Sequence, residues 1–548
     1  MNRNPKNVSK KRAGAGRSDA KNTTTSKPNQ QKAGDPPRDP AEVRAESFRI
    51  AAQRETVEAF VVAFILALLF RAFLAEAFVI PTGSMAPTLM GAHKDIVCDR
   101  CQTPYQCGAS LERKGPITEN VVVATICPNC RHTNALDLVE NANHGTFNGD
   151  RILVSKFSYT LDEPERWDVI VFKYPGNPKQ NYIKRLVGLP NEVVSVRHGD
   201  VYARPSEADT QANTILRKPP RKLLAMRHMV YDTDHQSPAL IEAGYPSRWQ
   251  PWTEKATTPP TDSWDIVRTT EGLTATVTSK DDSDFEWMRY FHRWPDEMQW
   301  QRADEGQSLA DVDPYSSRAI TDFYAYNSYV NVYSDRVFKF DEEPATFRGS
   351  RLERVLNGGY SKGRFRSDYQ SGVGPEQFAG AAGYGNHNLA RDGMHWVGDL
   401  ILEADVETSA DCRELLLELV EAGVKYRCRI QLADGTATLQ IDDIEDRVFD
   451  DPQSANGASQ RTATTSIRGG QRHHVRFSNC DDELLLWVDD GLVEFDGPTT
   501  FDARTFRNDD ENYPQYFVEH PLDAAPAAIA IRGGSSTVYN LRSDRDKY

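Results

Sequence analysis

The stretch Phe78-Val-Ile-Pro-Thr-Gly-Ser84-Met-Ala-Pro-Thr-Leu89 follows directly on an apolar segment and sets one serine on a tight turn. Pro-x-Gly-Ser is common loop chemistry, so the turn alone decides little. A second segment, Tyr182-Ile-Lys184-Arg-Leu-Val-Gly-Leu-Pro190, holds one lysine inside an apolar run. The two read together as halves of a Ser/Lys dyad. Serine is a weak nucleophile until a base takes its proton. A lysine can be that base only when burial strips it of water and holds it neutral. Tyr182, Ile183, Leu186 and Val187 around Lys184 are neighbours of that kind; the alternative is a strand lysine pointing to water.

Upstream, Val57 to Phe70 is apolar and continues through Arg71 to Ile80, long enough for a span if Arg71 snorkels. The rival is a cleaved signal peptide, because Ala75-Glu-Ala77 mimics an A-x-A site. The head before it is too long for a signal-peptide n-region. Residues 1–56 carry 13 Lys/Arg against six acids, whereas the rest of the 548-residue chain holds about −21 of the total −14. A basic tail before an apolar segment indicates an uncleaved anchor with its N-terminus inside, rather than nucleic-acid binding.

The expected organisation is mainly β. A disordered basic cytoplasmic tail (1–54) precedes a transmembrane helix (55–77). An all-β catalytic domain occupies 78–96 and 131–204, interrupted by a cysteine-rich insert at 97–131. An irregular insert follows at 205–395. From 396 to 540, alternating segments such as Asp399–Val406, Tyr426–Leu432, His473–Phe477 and Glu483–Val488 predict an antiparallel β-sandwich. Strands are also expected at Ile152–Val154, Asp168–Lys173 and Val193–Val196. Cys98-x2-Cys101 and Cys127-x2-Cys130 have zinc-ribbon spacing, which predicts a closed structural site; disulfides are the alternative, and Cys107 is spare.

These boxes resemble the type I signal peptidases, membrane-bound Ser/Lys proteases that remove signal peptides. Phe78–Leu89 is similar to the nucleophile box and Gly149-Asp-Arg-Ile-Leu-Val-Ser-Lys-Phe-Ser-Tyr159 to the next one. Arg166-Trp-Asp-Val-Ile-Val-Phe-Lys-Tyr-Pro175 and Tyr182–Pro190 are similar to the lysine box. The resemblance implies Ser84 as nucleophile and Lys184 as general base. It implies an oxyanion hole from the Ser84 N–H and the Thr82 hydroxyl, and shallow substrate pockets lined by Phe78, Ile80, Pro81, Met85, Leu89, Tyr182 and Ile183. No catalytic cofactor is implied. The implied partners are signal peptides of exported preproteins and membrane lipid at the bacterial inner membrane, with the catalytic domain on the outer face.

Three departures stand out. Arg166-Trp-Asp168 replaces the family's Arg-Gly-Asp, and Pro190-Asn-Glu192 its Pro-Gly-Asp; Asn tolerates the left-handed backbone a glycine would take. The family's closing Gly-Asp-x4-Ser-x-Asp-Ser-Arg box is not found. Its nearest candidate, Gly385–Gly398, lacks the serines, so truncation or an inactive, anchored binding protein is the alternative expectation. The sandwich weakly resembles a laminin-G or concanavalin-type jelly roll, a class that binds glycans or proteins. The tryptophans Trp249, Trp252, Trp264, Trp287, Trp294 and Trp300 could form a sugar platform or anchor loops.

Overall fold

Alternating apolar residues and Asp/Gly turns do produce a mainly β molecule. A computed structural model describes residues 39–547 apart from 114–119, 139–140, 209–212, 254–262, 280–283, 334–337, 340–363, 366–392, 394, 443, 445, 455, 508–511 and 518–519. It divides into two units, Met1–Leu74 and Ala75–Tyr548.

The described part of the first unit is one helix, Pro40–Leu69, continued by a π-turn at Phe70–Leu74. Asp39 caps it by accepting from the Ala41 N–H, with Pro40 at the first helical position, where its missing N–H costs nothing. None of its residues is buried, and Phe60, Val61, Val62, Phe64 and Ile65 are all exposed. Among the described residues this is one helix long and apolar enough to cross a membrane, with a mean hydropathy of 2.4 over its most apolar window. It begins well before the expected residue 55, because the Arg-, Glu- and Ala-rich stretch after Pro40 is also good helix-forming sequence.

The second unit is built on two large antiparallel sheets. One runs Trp264–Thr269, Gly272–Thr278, Ser535–Arg545, Leu400–Thr408, Arg472–Cys480, Glu483–Val488, Gly491–Leu492, and His228–Asp232 pairs the far end of Ser535–Arg545. The other runs Trp249–Trp252, Glu286–Tyr290, Ala527–Arg532, Glu414–Glu421, Val424–Gln431, Thr436–Ile441, Gln460–Thr464. Leu402, Ala404 and Val406 of the first share one core with Leu415, Leu417 and Leu419 of the second. The period of two places these residues inward on each strand.

A separate irregular insert at 205–395 is not what forms. Five strands between His228 and Tyr290 are members of the same two sheets as residues 400–545. In Trp249–Trp252 and Glu286–Tyr290 the closely spaced Trp, Pro and Arg hide the alternation. The six tryptophans are at most 9% exposed, so they are core rather than a sugar platform. Trp252 and Trp287 pack edge to face at 6.0 Å over the outer side of the second sheet, with the Arg289 guanidinium 4.5 Å above Trp252. The candidate closing box at 385–398 lies largely outside the described residues.

Glu418 is fully buried in that layer, between Arg289 and the Arg427 Nε at 2.6 Å. Burial pushes its carboxyl up, and the two guanidiniums more than reverse this, holding it at about 2. Because the folded value is depressed, the stabilisation is present above the unfolded value of about 4.3 and fades as pH falls towards 2. Glu418→Gln should lower stability by roughly 3–5 kcal/mol at pH 7, since two buried cations lose their counter-charge. Chemical denaturation at pH 7 and at pH 3 measures this, and the gap between variant and parent should narrow at the lower pH.

Candidate active site and four-cysteine ribbon

The serine turn is assembled from three boxes. Ala75–Val79 pairs antiparallel with Arg151–Ser155, setting Phe78 opposite Ile152. The Ile80 N–H then donates to the Asp150 carbonyl at 2.9 Å, and the Asp150 N–H to the Met90 carbonyl at 2.9 Å. The Asp150 carboxylate accepts from the Met90 N–H at 2.6 Å, so one residue ties both ends of the loop. Gly149 must be glycine: a Cβ there would sit 1.8 Å from the Ile80 carbonyl oxygen. Ser84 occupies a single 3₁₀ turn, Gly83–Met85, and is exposed, as are Thr82 and Pro81. Ile80 and Met85 are buried, and Phe78 and Leu89 are half-buried.

Lys184 lies on a hairpin in which Val169–Lys173 pairs with Asn181–Arg185, Ile170 opposite Lys184. The strand Asn181–Arg185 runs beside the Gly83–Met85 turn, with Cα atoms within 8 Å. The structure thus brings the serine and lysine segments together. It does not bury the lysine as its neighbours suggested. Lys184 is exposed, because Leu186 and Val187 lie past the strand end and Ile183 faces the other way from Tyr182 and Lys184. Tyr182 stacks on Tyr174 at 4.8 Å, and both Tyr182 and Ile183 are half-buried.

The two departures in the lysine box have visible geometry. Asn191 takes the left-handed backbone expected of a glycine replacement, φ 62°. Trp167 does so too, φ 71°, an unusual state for a bulky residue. It is held there by burial, by its indole N–H donating to the Arg217 carbonyl at 2.8 Å, and by the Lys218 ammonium 5.3 Å from its ring.

Two contributions to the site were missed. Tyr326, buried and 242 positions after Ser84, forms a floor under the turn: a Cβ on Gly83 would lie 2.0 Å from its ring. The chain's last described residue, Lys547, donates from Nζ to the Ala86 carbonyl at 3.3 Å. Burial, then the charges of Arg185, Arg545 and Lys184, push this ammonium below its ordinary range. No local signal marks either residue, since both arrive through long-range pairing.

The four cysteines do converge. Cys98 and Cys130 Sγ are 3.6 Å apart, Cys101 and Cys127 Sγ also 3.6 Å, and all four thiols are buried and free of disulfides. Each Cys-x2-Cys turn is followed by a residue at φ 60°, Gln102 or Arg131, and closed by a hydrogen bond from the first cysteine's N–H (Cys98 to the Thr103 carbonyl, Cys127 to the His132 carbonyl). Burial pushes the Cys127 and Cys130 thiols well up, so four ionised sulfurs need a cation between them. Tetrahedral thiolates at about 2.3 Å from an ion would be about 3.8 Å apart, close to the spacing seen. The cluster could therefore bind a metal ion. Cys107 stands outside it, a thiol that burial raises to about 12.

Residues 53–108 and 116–244 match the family described as Signal peptidase, peptidase S26. Signal peptidase I of Pseudomonas fluorescens is 50% identical over 58 residues, 8% of this chain and 20% of that protein. That of Aquifex aeolicus is 52% identical over 46 residues, covering 8% and 18%. That of Rickettsia canadensis is 26% identical over 187 residues, covering 34% and 56%. The chain thus spans between about a fifth and just over half of the length of these relatives. Among solved structures, the carbohydrate binding module CBM66 from Bacillus subtilis aligns with 27% of this chain and 75% of that one, at 11% identity and a TM-score of 0.18, too slight a likeness to bear on fold or ligand. On the ordered boxes and the matches to them, residues 53–108 and 116–244 are similar to the peptidase S26 family, and the chain resembles the type I signal peptidases there.

Proposed function

We propose that the protein is a membrane-anchored serine endopeptidase that removes signal peptides from exported preproteins. The observation that carries this is the adjacency of the Gly83–Met85 turn and the Lys184 strand within the stretch that matches the peptidase family. Ser84 Oγ attacks the scissile carbonyl while Lys184 takes its proton, forming an acyl-enzyme. Lys184 then returns the proton to the leaving amine. The Ser84 N–H and the Thr82 hydroxyl stabilise the oxyanion, a contribution of about 3–4 kcal/mol for a well-placed donor. A peptide laid over the exposed turn covers Lys184 and removes its water, supplying from the substrate the desolvation that the free protein lacks.

Phe78, Ile80, Pro81, Met85, Leu89, Tyr182 and Ile183 line the pockets for small residues before the cut. The helix ending at Leu74 crosses the inner membrane with its basic N-terminus inside, which puts Ser84 at the outer surface. Cys98, Cys101, Cys127 and Cys130 hold a structural zinc ion that fastens two hairpins and takes no part in catalysis. The sandwich is a docking module for a glycan or protein ligand.

Purified full-length protein in detergent should cleave a preprotein after A-x-A, and Ser84→Ala or Lys184→Ala should each reduce the rate by at least about 10³-fold. If the parent protein is inert while both variants still bind the preprotein, it is an anchored binding protein instead. Elemental analysis should give one zinc per chain. Cys101→Ser should lose it and lower the thermal midpoint, whereas Cys107→Ser should keep it.

A further inference from the structure

Two arginines are buried beside the four-cysteine ribbon with no carboxylate to meet them. Arg131 is 5% exposed and Arg248 6%, and the Nη1 of each has no hydrogen-bond acceptor. Among the described residues neither makes an ion pair. The groups whose charge bears most on Arg131 are Arg248, Tyr290, Cys127 and Arg545; on Arg248 they are Tyr290, Tyr231 and Tyr245. Tyrosines are neutral at pH 7, and burial pushes the Tyr290 phenol up to about 12, so they supply no negative charge. Rings do lie against both cations: Phe323 at 3.5 Å and Trp294 at 5.2 Å from the Arg131 guanidinium, Tyr231 at 4.2 Å from that of Arg248. A ring face offsets only part of what a charge loses on leaving water. Two like charges in one dry interior still require an anion.

Both arginines are bound to the knuckle Cys127-Pro-Asn-Cys130. Arg131 follows it directly, and its backbone N–H donates to the Cys127 carbonyl at 3.1 Å. Arg248 reaches it from the sandwich, where it precedes the strand Trp249–Trp252, and its Nη2 donates to the Asn129 carbonyl at 2.7 Å. The Asn129 amide in turn donates to the carbonyls of Asp232 and His235 at 3.0 and 2.9 Å. Cys101, Cys130 and Arg248 also line one small cavity.

We propose that Arg131 and Arg248 are the counter-charges of a doubly charged metal ion held by the four thiolates. This rests on the zinc reading of the ribbon and adds which residues balance its charge. Four thiolates around Zn²⁺ leave two negative charges, and the two guanidiniums match them one for one. Two disulfides, Cys98 to Cys130 and Cys101 to Cys127, would be neutral and would leave both cations uncompensated in the interior. The Arg248 contact also crosses from sandwich to ribbon, so the charge of the loaded site holds the two together.

The test measures zinc affinity of the full-length protein in detergent by competition with a chelator of known affinity, and the absorption of the Co²⁺-loaded form reports whether four sulfurs still bind. Arg131→Gln and Arg248→Gln, which keep hydrogen-bond donors and lose the charge, should each weaken zinc at least about 10-fold. Arg131→Lys and Arg248→Lys, which keep the charge, should recover most of that loss. An arginine that only packs and donates would be hurt alike by lysine and glutamine. The two positions are scored separately, so misfolding of one variant, seen by circular dichroism, leaves the other to decide. Zinc held as tightly in both glutamine variants as in the parent would overturn the proposal, as would equal losses with lysine and glutamine. A parent that binds no zinc would overturn it together with the ribbon reading, whereas zinc binding that ignores these charges overturns the counter-charge alone.

Discussion

The serine turn rests on the contact between the backbones of Gly149 and Ile80. With no side chain on Gly149, Asp150 can take the Ile80 N–H on its carbonyl and the Met90 N–H on its carboxylate, closing the loop that carries Ser84. The box that follows the nucleophile box in sequence is therefore its clamp. It supplies no reacting group, yet any side chain at 149 would drive the two segments apart. Positional precision of this kind is what a nucleophile on a short exposed turn needs, since catalytic rate falls steeply with misplacement of about 1 Å.

Around that clamp the chain builds a sandwich whose strands come from residues 228–290 and 400–545. The 11-residue strand Ser535–Arg545 is the seam. Along one edge it pairs with Leu400–Thr408; along the other, Gly272–Thr278 takes its first half and His228–Asp232 its second. The register shifts opposite Glu403 and Asp405, where Asn540 takes φ 47°. This local bulge lets one strand serve two successive partners. On the outer side of the second sheet Glu414 and Glu418 are buried and matched by Arg289, Arg427 and Arg532, so that sheet is covered on both faces.

What could be read from the sequence was local. The Ile152, Val169 and Val193 strands and those around Leu402, Tyr426, Phe477 and Trp487 all fall where alternation puts them. The Cys-x2-Cys pairs meet, and Asn191 takes the backbone its substitution for glycine implied. What could not be read was long-range. Trp249 and Trp287 belong to paired strands whose aromatic content masks the period of two, and the second strand's other partner, Ala527–Arg532, lies more than two hundred residues away. The exposure of Lys184 depends on which elements cover a hairpin face, a matter no window of sequence contains. Tyr326 under Gly83 and Lys547 beside Ala86 are contacts of the same kind.

The position of Tyr326 also bears on the order of events during synthesis. A ribosome adds about 5–20 residues per second, so roughly 10–50 s separate the emergence of Ser84 from that of the ring that floors its turn. His228–Asp232 waits longer still for Arg542–Arg545. The loop that carries Ser84 is thus made well before its support exists, and its final shape becomes an event timed by the completion of the insert rather than by its own emergence.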